Sequence, residues 1–153
     1  NKLWQARHDA YYAARALRPG ASGWPTDVCV PISRLADCIQ QTQRDLVEFD
    51  LLAPIVGHVG DGNFHLLLLV DVDKPAELEI AKIVNDRLIK RALSMGGTCT
   101  GEHGIGYGKL AYMELEHGAA VAVMASIKRA IDPLNIMNPG KMIPDNVLKD
   151  EAQ

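Results

Sequence analysis

The chain is predicted to adopt an α+β fold, an antiparallel sheet with helices on one face. Three observations predict it. Short β-branched or leucine-rich runs alternate with longer stretches whose apolar residues recur at helical spacing. Gly60-Asp61-Gly62-Asn63 lies between two of the short runs and is a strong hairpin signal. The 153 residues, 48% apolar and 23% charged, suit one ordinary globular domain with a sizeable core.

The elements follow in order. Lys2 to Leu17 has the composition of a helix, stopped by Arg18-Pro19-Gly20, and Ala21 to Pro25 reads as a loop of small residues. Trp4, Tyr11 and Tyr12 read as core. Residues 1–26 are thus an N-terminal helix and loop. Asp27 to Val30 is a short strand ended by Pro31. Ser33 is expected to cap a helix running to Phe49, with Leu35, Ile39 and Leu46 as its apolar stripe. Pro54 to Val59 and Phe64 to Asp71 are the two strands of the hairpin. Pro75 suits a helix start, and Ile80, Val84, Leu88 and Ala92 line one face of that helix until Gly96-Gly97. Thr98 to Thr100 can close the sheet as a short strand. Residues 27–100 therefore read as a ferredoxin-like βαββαβ unit. Residues 101–144 hold a glycine-rich loop, a helix from Leu110 to Ile131 stopped by Asp132-Pro133, and a turn at Asn138-Pro139-Gly140-Lys141. Residues 145–153 are expected to form a frayed tail.

Composition narrows the function classes. A net charge of −3 gives no sign of a nucleic-acid partner. The longest apolar run, Leu66 to Val70, is far too short to span a bilayer. No targeting segment opens the chain, and a start at Asn1 within a helical stretch reads as a cut through a longer protein. Cys29, Cys38 and Cys99 are odd in number and lack CxxC spacing, which favours free thiols in a reducing compartment. Cys29 and Cys38 read as small buried residues. Cys99 is close to the glycine-rich loop, but no partner in the sequence marks it as a nucleophile.

Two segments carry chemistry. A two-residue type I′ turn centred on Asp61-Gly62 would set His58 directly opposite His65, with Cβ atoms about 4.5–5.5 Å apart on one face. Two imidazoles so placed can share a divalent cation or form a hydrogen-bonded pair. Asp61 is explained by turn chemistry alone. In Gly101-Glu102-His103-Gly104-Ile105-Gly106, a carboxylate beside an imidazole offers one metal ligand and one proton acceptor. The same residues also fit a glycine-rich turn with two solvated polar side chains. Gly104, Gly106 and Gly108 do not match the spacing of a nucleotide-binding fingerprint. His8 and His117 read as surface or packing residues.

Five motifs in order carry a family resemblance: Leu3-Trp4-Gln5-Ala6-Arg7-His8, Thr26-Asp27-Val28-Cys29-Val30-Pro31, His58 to His65, Gly101 to Gly106, and Asn138-Pro139-Gly140-Lys141. Together they resemble the C-terminal half of FAD-linked D-2-hydroxyacid dehydrogenases of the vanillyl-alcohol-oxidase superfamily. This group includes cytochrome-linked D-lactate dehydrogenases, glycolate oxidase subunits and D-2-hydroxyglutarate dehydrogenases. The resemblance implies an N-terminal FAD-binding domain that this chain lacks, followed by the ferredoxin-like cap seen here. It implies zinc or manganese held by His58, His65 and Glu102, His103 as catalytic base, and Arg7 on the substrate carboxylate. Asn138 and Lys141 are expected to contact the FAD.

Relatives that act on hydroxyglutarate carry a lysine before the strand Asp and an Asn shortly after the second histidine. Here those places hold Trp24-Pro25-Thr26 and Leu66-Leu67-Leu68, which argues for a small apolar substrate such as D-lactate. A glycolate oxidase subunit and a non-catalytic metal-binding module are the alternatives. A quinone, a cytochrome or an electron-transfer flavoprotein is the expected electron acceptor. The expected location is cytoplasmic, with peripheral membrane contact left open. This chain alone is expected to be inactive.

Overall fold

The structure is a computed structural model that describes residues 2–149, including every side chain but those of Leu3, Arg7 and Lys149. It divides into two compact units, the first ending at Gly101 and the second beginning at Glu102.

In the first unit, helix α1 (Lys2–Ala16) precedes strands β1 (Ser22–Pro25) and β2 (Val28–Cys29). Helix α2 (Ile32–Glu48), strands β3 (Ile55–His58) and β4 (Asn63–Val70), and helix α3 (Pro75–Ser94) follow. Strand β4 is the centre of the sheet. One of its edges takes β1 and then β2, and the other takes β3, all antiparallel. The mixed fold with a small antiparallel sheet is as expected.

Three details differ. Ala21 to Pro25 is not a loop: Ser22 to Pro25 pairs with Val70 to Leu67, so tertiary pairing overrides the weak strand propensity of small residues. Thr98 makes only an isolated bridge to Cys29, with both backbone hydrogen bonds in place, where a closing strand was expected. Helix α2 begins at Ile32 behind Pro31, without a side-chain cap, so Ser33 lies inside its first turn.

Alternation along β4 sorts its residues by face. Leu67 and Leu69 pack with Ala14 of α1 and with Ala21. Phe64, Leu66, Leu68 and Val70 turn to the opposite face and are wholly buried; α3 packs on this strand through its buried stripe of Ala81, Val84, Leu88, Ile89 and Ala92. Strand β4 is thus covered on both sides, which explains its unbroken run of leucines. The buried stripe of α2 runs through Leu35, Cys38, Thr42 and Asp45, so Ile39 and Leu46 lie only at its margin. Arg91 of α3 donates to Thr42 and Asp45, and Arg87 bridges Asp45 and Glu48. A buried carboxylate is accommodated there because two guanidinium groups face it.

Trp4, Tyr11 and Tyr12 are not core. Trp4 is 60% exposed and Tyr12 70% exposed, because the one buried side chain described on α1 is Ala14.

The second unit is a set of short helices: α4 (Gly106–Lys109), a 3-10 turn (Leu110–Tyr112), α5 (Met113–His117), α6 (Ala120–Ile131) and α7 (Asp145–Lys149). The single helix expected over Leu110 to Ile131 is broken at Gly118, whose φ of 51° ends α5. Residues 145–149 are a helical turn where a frayed tail was expected, with Val147 and Leu148 against the core of Met113, Val121, Ala125 and Ile143. No helix among the described residues is long and apolar enough to cross a membrane. The three cysteines are free thiols; Cys38 and Cys99 are buried, while Cys29 is only half-buried.

Candidate metal centre

The β3–β4 hairpin positions both histidines, in a register different from the expected one. His58 pairs with Asn63, and His65 pairs with Val56. The turn is therefore a four-residue loop, Val59 to Gly62, rather than two residues. Of its residues only Gly62 has a positive φ, 77°, whereas a type I′ turn needs two. The end of β2 sets this geometry. The Val30 N–H donates to the Gly62 carbonyl, and a Cβ on Gly62 would stand 2.0 Å from the Val30 oxygen.

The register differs by two residues, and side chains alternate with period two, so His58 and His65 still share a face, now diagonally. Their ring centroids are 5.9 Å apart at 87°, and a ring nitrogen of each lies within 4.8 Å of the other. One divalent cation could draw the two together.

The surroundings of His65 select its tautomer. Its Nδ1 lies 2.9 Å from the Thr26 carbonyl oxygen, which can only accept, so Nδ1 carries the proton and the lone pair sits on Nε2. That is the arrangement typical of a histidine ligand whose second nitrogen is anchored to the protein. The ring is almost buried, at 8% exposure. His58, at the end of β3, is half-buried.

Beside His65 stands a carboxylate that the sequence reading did not single out. Asp27, 1% exposed, accepts from Asn63 Nδ2 at 2.8 Å, from Thr100 Oγ1 at 2.8 Å and from the Gly101 N–H at 2.9 Å. Its Oδ1 lies 3.7 Å from His65 Nδ1. Gly101 approaches so closely that a Cβ there would overlap Asn63 Nδ2 at 1.6 Å. Asn63 is also buried, and its Oδ1 has no hydrogen-bond partner among the described residues. Two imidazoles, one with its tautomer set, beside a buried amide oxygen are a donor set that a divalent cation could use. The signal for Asp27 was an acid opening an otherwise apolar strand, a placement that needs partners.

Cys29 is unsuited to nucleophilic chemistry. Desolvation first, and then the charges of Asp27 and Asp61, push its thiol up, and its Sγ donates to the Asp61 carbonyl.

The remaining candidate residues belong to the second unit, or fall outside the described side chains. Glu102 and His103 follow Gly101 directly and are both exposed. Asn138, exposed with φ 47°, borders a largely apolar cleft of about 360 Å³ lined also by Ile105, Met124, Ile131 and Met142. Lys141 sets its ammonium 5.3 Å from the Tyr107 ring centroid. The backbone of Arg7 is helical, and its side chain lies outside the described residues.

Comparison with known proteins bears on these features. A family model described as "FAD linked oxidases, C-terminal domain" matches residues 1–142. The chain is 53% identical over 144 residues to "Probable D-lactate dehydrogenase, mitochondrial" of Danio rerio, covering 94% of this chain and 29% of the relative. It is 44% identical to "D-lactate dehydrogenase [cytochrome], mitochondrial" of Arabidopsis thaliana, covering 95% of this chain and 26% of the relative. The chain thus spans under a third of the length of either relative. A solved structure, "4-ethylphenol oxidase from Gulosibacter chungangensis: isoeugenol complex", superposes with a TM-score of 0.64 over 95% of this chain and 31% of that one. At 22% identity, that likeness concerns the fold alone.

Proposed function

The chain belongs to the FAD-linked oxidases through their C-terminal domain, and on that premise we propose that it is the substrate- and metal-binding part of an FAD-dependent D-lactate dehydrogenase. The observation that carries the proposal is the His58–His65 pair, with the His65 lone pair held on Nε2. Glu102 is the third metal ligand, and the ion is zinc or manganese. The bound ion supplies Lewis acidity and the flavin takes up two electrons.

The chain's own residues do the rest. Arg7 grips the substrate carboxylate through its planar fork. His103 receives the C2 hydroxyl proton on an imidazole nitrogen. Asn138 and Lys141 face the cofactor. Leu67, two residues from His65 on the same face of β4 and paired with Pro25 of β1, provides an apolar wall suited to a methyl group. A lysine at the place of Pro25 or an asparagine at that of Leu67 would instead welcome a second carboxylate. The substrate is D-lactate or a similarly small, apolar 2-hydroxyacid, oxidised to the 2-oxoacid.

The electron acceptor is proposed to be a cytochrome, in line with the name of the Arabidopsis thaliana relative. Quinones and electron-transfer flavoproteins are the other candidates. Both relatives carry "mitochondrial" in their names, so a mitochondrial location is proposed in place of a cytoplasmic one.

Turnover of D-lactate, glycolate and D-2-hydroxyglutarate by the full-length protein, with metal content measured alongside, tests the proposal. D-lactate is expected to be the best substrate. A preference for glycolate would move the reading to a glycolate-oxidising subunit. Absence of turnover on all three, with metal bound, would make this a non-catalytic metal-binding module. Residues 1–153 expressed alone should be colourless and inactive, since they contain no glycine-rich phosphate cradle for a dinucleotide.

A further inference from the structure

We propose that Asp27 is a positioning residue for the metal centre, holding His65 and the peptide that leads into Glu102 as one assembly. The inference rests on the metal reading above. Three neutral donors from two distant segments converge on this buried carboxylate: Asn63 at the start of β4, and the adjacent Thr100 hydroxyl and Gly101 N–H. The donors divide between its oxygens, Asn63 on Oδ1 and the other two on Oδ2. Oδ1 also lies beside His65 Nδ1, the nitrogen that Thr26 already holds in its protonated form. One side chain thus biases the ring of one ligand, clamps the residue that pairs with the other ligand, His58, and anchors the peptide immediately before the third.

The geometry makes Asn a poor substitute. An amide keeps the volume but offers one oxygen and one NH2 group. Turned one way, its NH2 faces the Gly101 N–H, donor against donor; turned the other, it faces Asn63, whose amide must flip and give up its present donor role.

The experiment measures Zn2+ affinity of the full-length protein by chelator competition, with thermal unfolding as the control for folding. Asp27→Asn should weaken Zn2+ binding by roughly 10–100-fold, the range seen when outer partners of metal ligands are removed. Thr100→Val, which deletes a single donor to Asp27, should weaken it by roughly 2–10-fold, about the value of one hydrogen bond. Asp45→Asn breaks a buried pairing between α2 and α3, so it should lower the melting temperature and leave Zn2+ affinity unchanged. Asp27→Asn and Thr100→Val both binding Zn2+ as tightly as wild type, while His58→Ala has lost it, would overturn the inference and leave the metal reading standing. If Asp27→Asn does not fold, Thr100→Val decides. Wild type holding no more Zn2+ than His58→Ala would instead remove the metal reading, and this inference with it.

Discussion

The glycines of the hairpin and those of the loop after Gly101 look alike in the sequence and differ in their surroundings. A Cβ on Gly57 would stand 2.8 Å from the Asn63 carbonyl, and one on Gly62 2.0 Å from that of Val30. On Gly104, Gly106 or Gly108 it would meet nothing within 4 Å among the described residues. At Gly57 and Gly62 of the hairpin, though not at Gly60, glycine lets two backbones touch, so the turn is held from outside at those two points. In the loop, an added Cβ at Gly104, Gly106 or Gly108 would have room. Gly101 is the hinge between these uses, being packed as tightly as any hairpin glycine. Under the proposed function, the hairpin supplies two metal ligands, while the loop supplies the third, Glu102, and the base, His103.

The sharpest way to break that division is to mutate both sides. In the full-length protein, His58→Ala or His65→Ala should release metal and activity together. His103→Ala should keep the metal while kcat falls by roughly 10²–10⁴, the usual contribution of a general base. Elemental analysis beside steady-state rates decides. Metal lost from the His103 variant and retained in the His58 variant would reverse the roles.

The hairpin's second strand is also predicted to set substrate size. A distal carboxylate against Leu67 and Pro25 loses hydration without gaining a partner, on the order of several kcal/mol, or roughly 10²–10⁴ in kcat/KM. D-2-hydroxyglutarate should therefore be a poor substrate beside D-lactate. Equal kcat/KM values for the two would remove Leu67 from any role in selection.

Alanine at the two kinds of glycine sharpens the comparison in stability. Gly62→Ala must move the Val30 carbonyl as well as hold a positive φ, and should cost about 3 kcal/mol or more. Gly104→Ala holds an unfavourable φ in open space and should cost about 1–2 kcal/mol. Unfolding of both variants by heat or denaturant measures the difference, and equal costs would mean that the Val30 contact yields easily.

The smallest effect is expected far from both segments. Arg18 donates to Glu77 at 2.7 Å, and this contact, followed by the Asp71 amide, lowers the Glu77 carboxyl from about 4.5 to about 2. A lowered folded pKa stabilises above the unfolded value and is lost as pH falls through the folded one. The pair's contribution should thus fade between about pH 4.5 and pH 2, modestly because it is solvent-screened. Glu77→Gln should flatten the melting temperature across that window; an unchanged slope would assign the acid sensitivity elsewhere.

How far the sequence could be read depended on whether a feature was local. Pro75, Gly96-Gly97 and the helical spacing between them specify α3 with little help from the rest of the chain. The hairpin was visible in Gly60-Asp61-Gly62, but its register was not, because Val30 decides which turn residue takes the positive φ. Strand β1 was hidden for a similar reason: Ser22 and Gly23 have no strand preference of their own and extend because β4 offers an edge. Gly118 is a helix breaker whose effect is masked in the sequence by the long apolar pattern that continues across it. For the site, His58 and His65 were legible as a pair across a turn, whereas the roles of Thr26, Asn63 and Asp27 depend on contacts between distant segments. Glu102 and His103 were legible as a carboxylate beside an imidazole in a glycine-rich loop, with a solvated turn as the alternative, whereas Arg7, Asn138 and Lys141 were legible only through resemblance.

The diagonal placement of the two histidines implies a parity rule for insertions and deletions in this hairpin. Suppose a residue is lost from the loop 59–62 and the strand absorbs the loss by sliding. A slide of one residue would turn His58 to the face opposite His65 and dismantle the pair. A slide of two would return both to one face, directly opposed or further apart. Length changes at this turn should therefore be tolerated in even steps and penalised in odd ones, whatever their effect on stability.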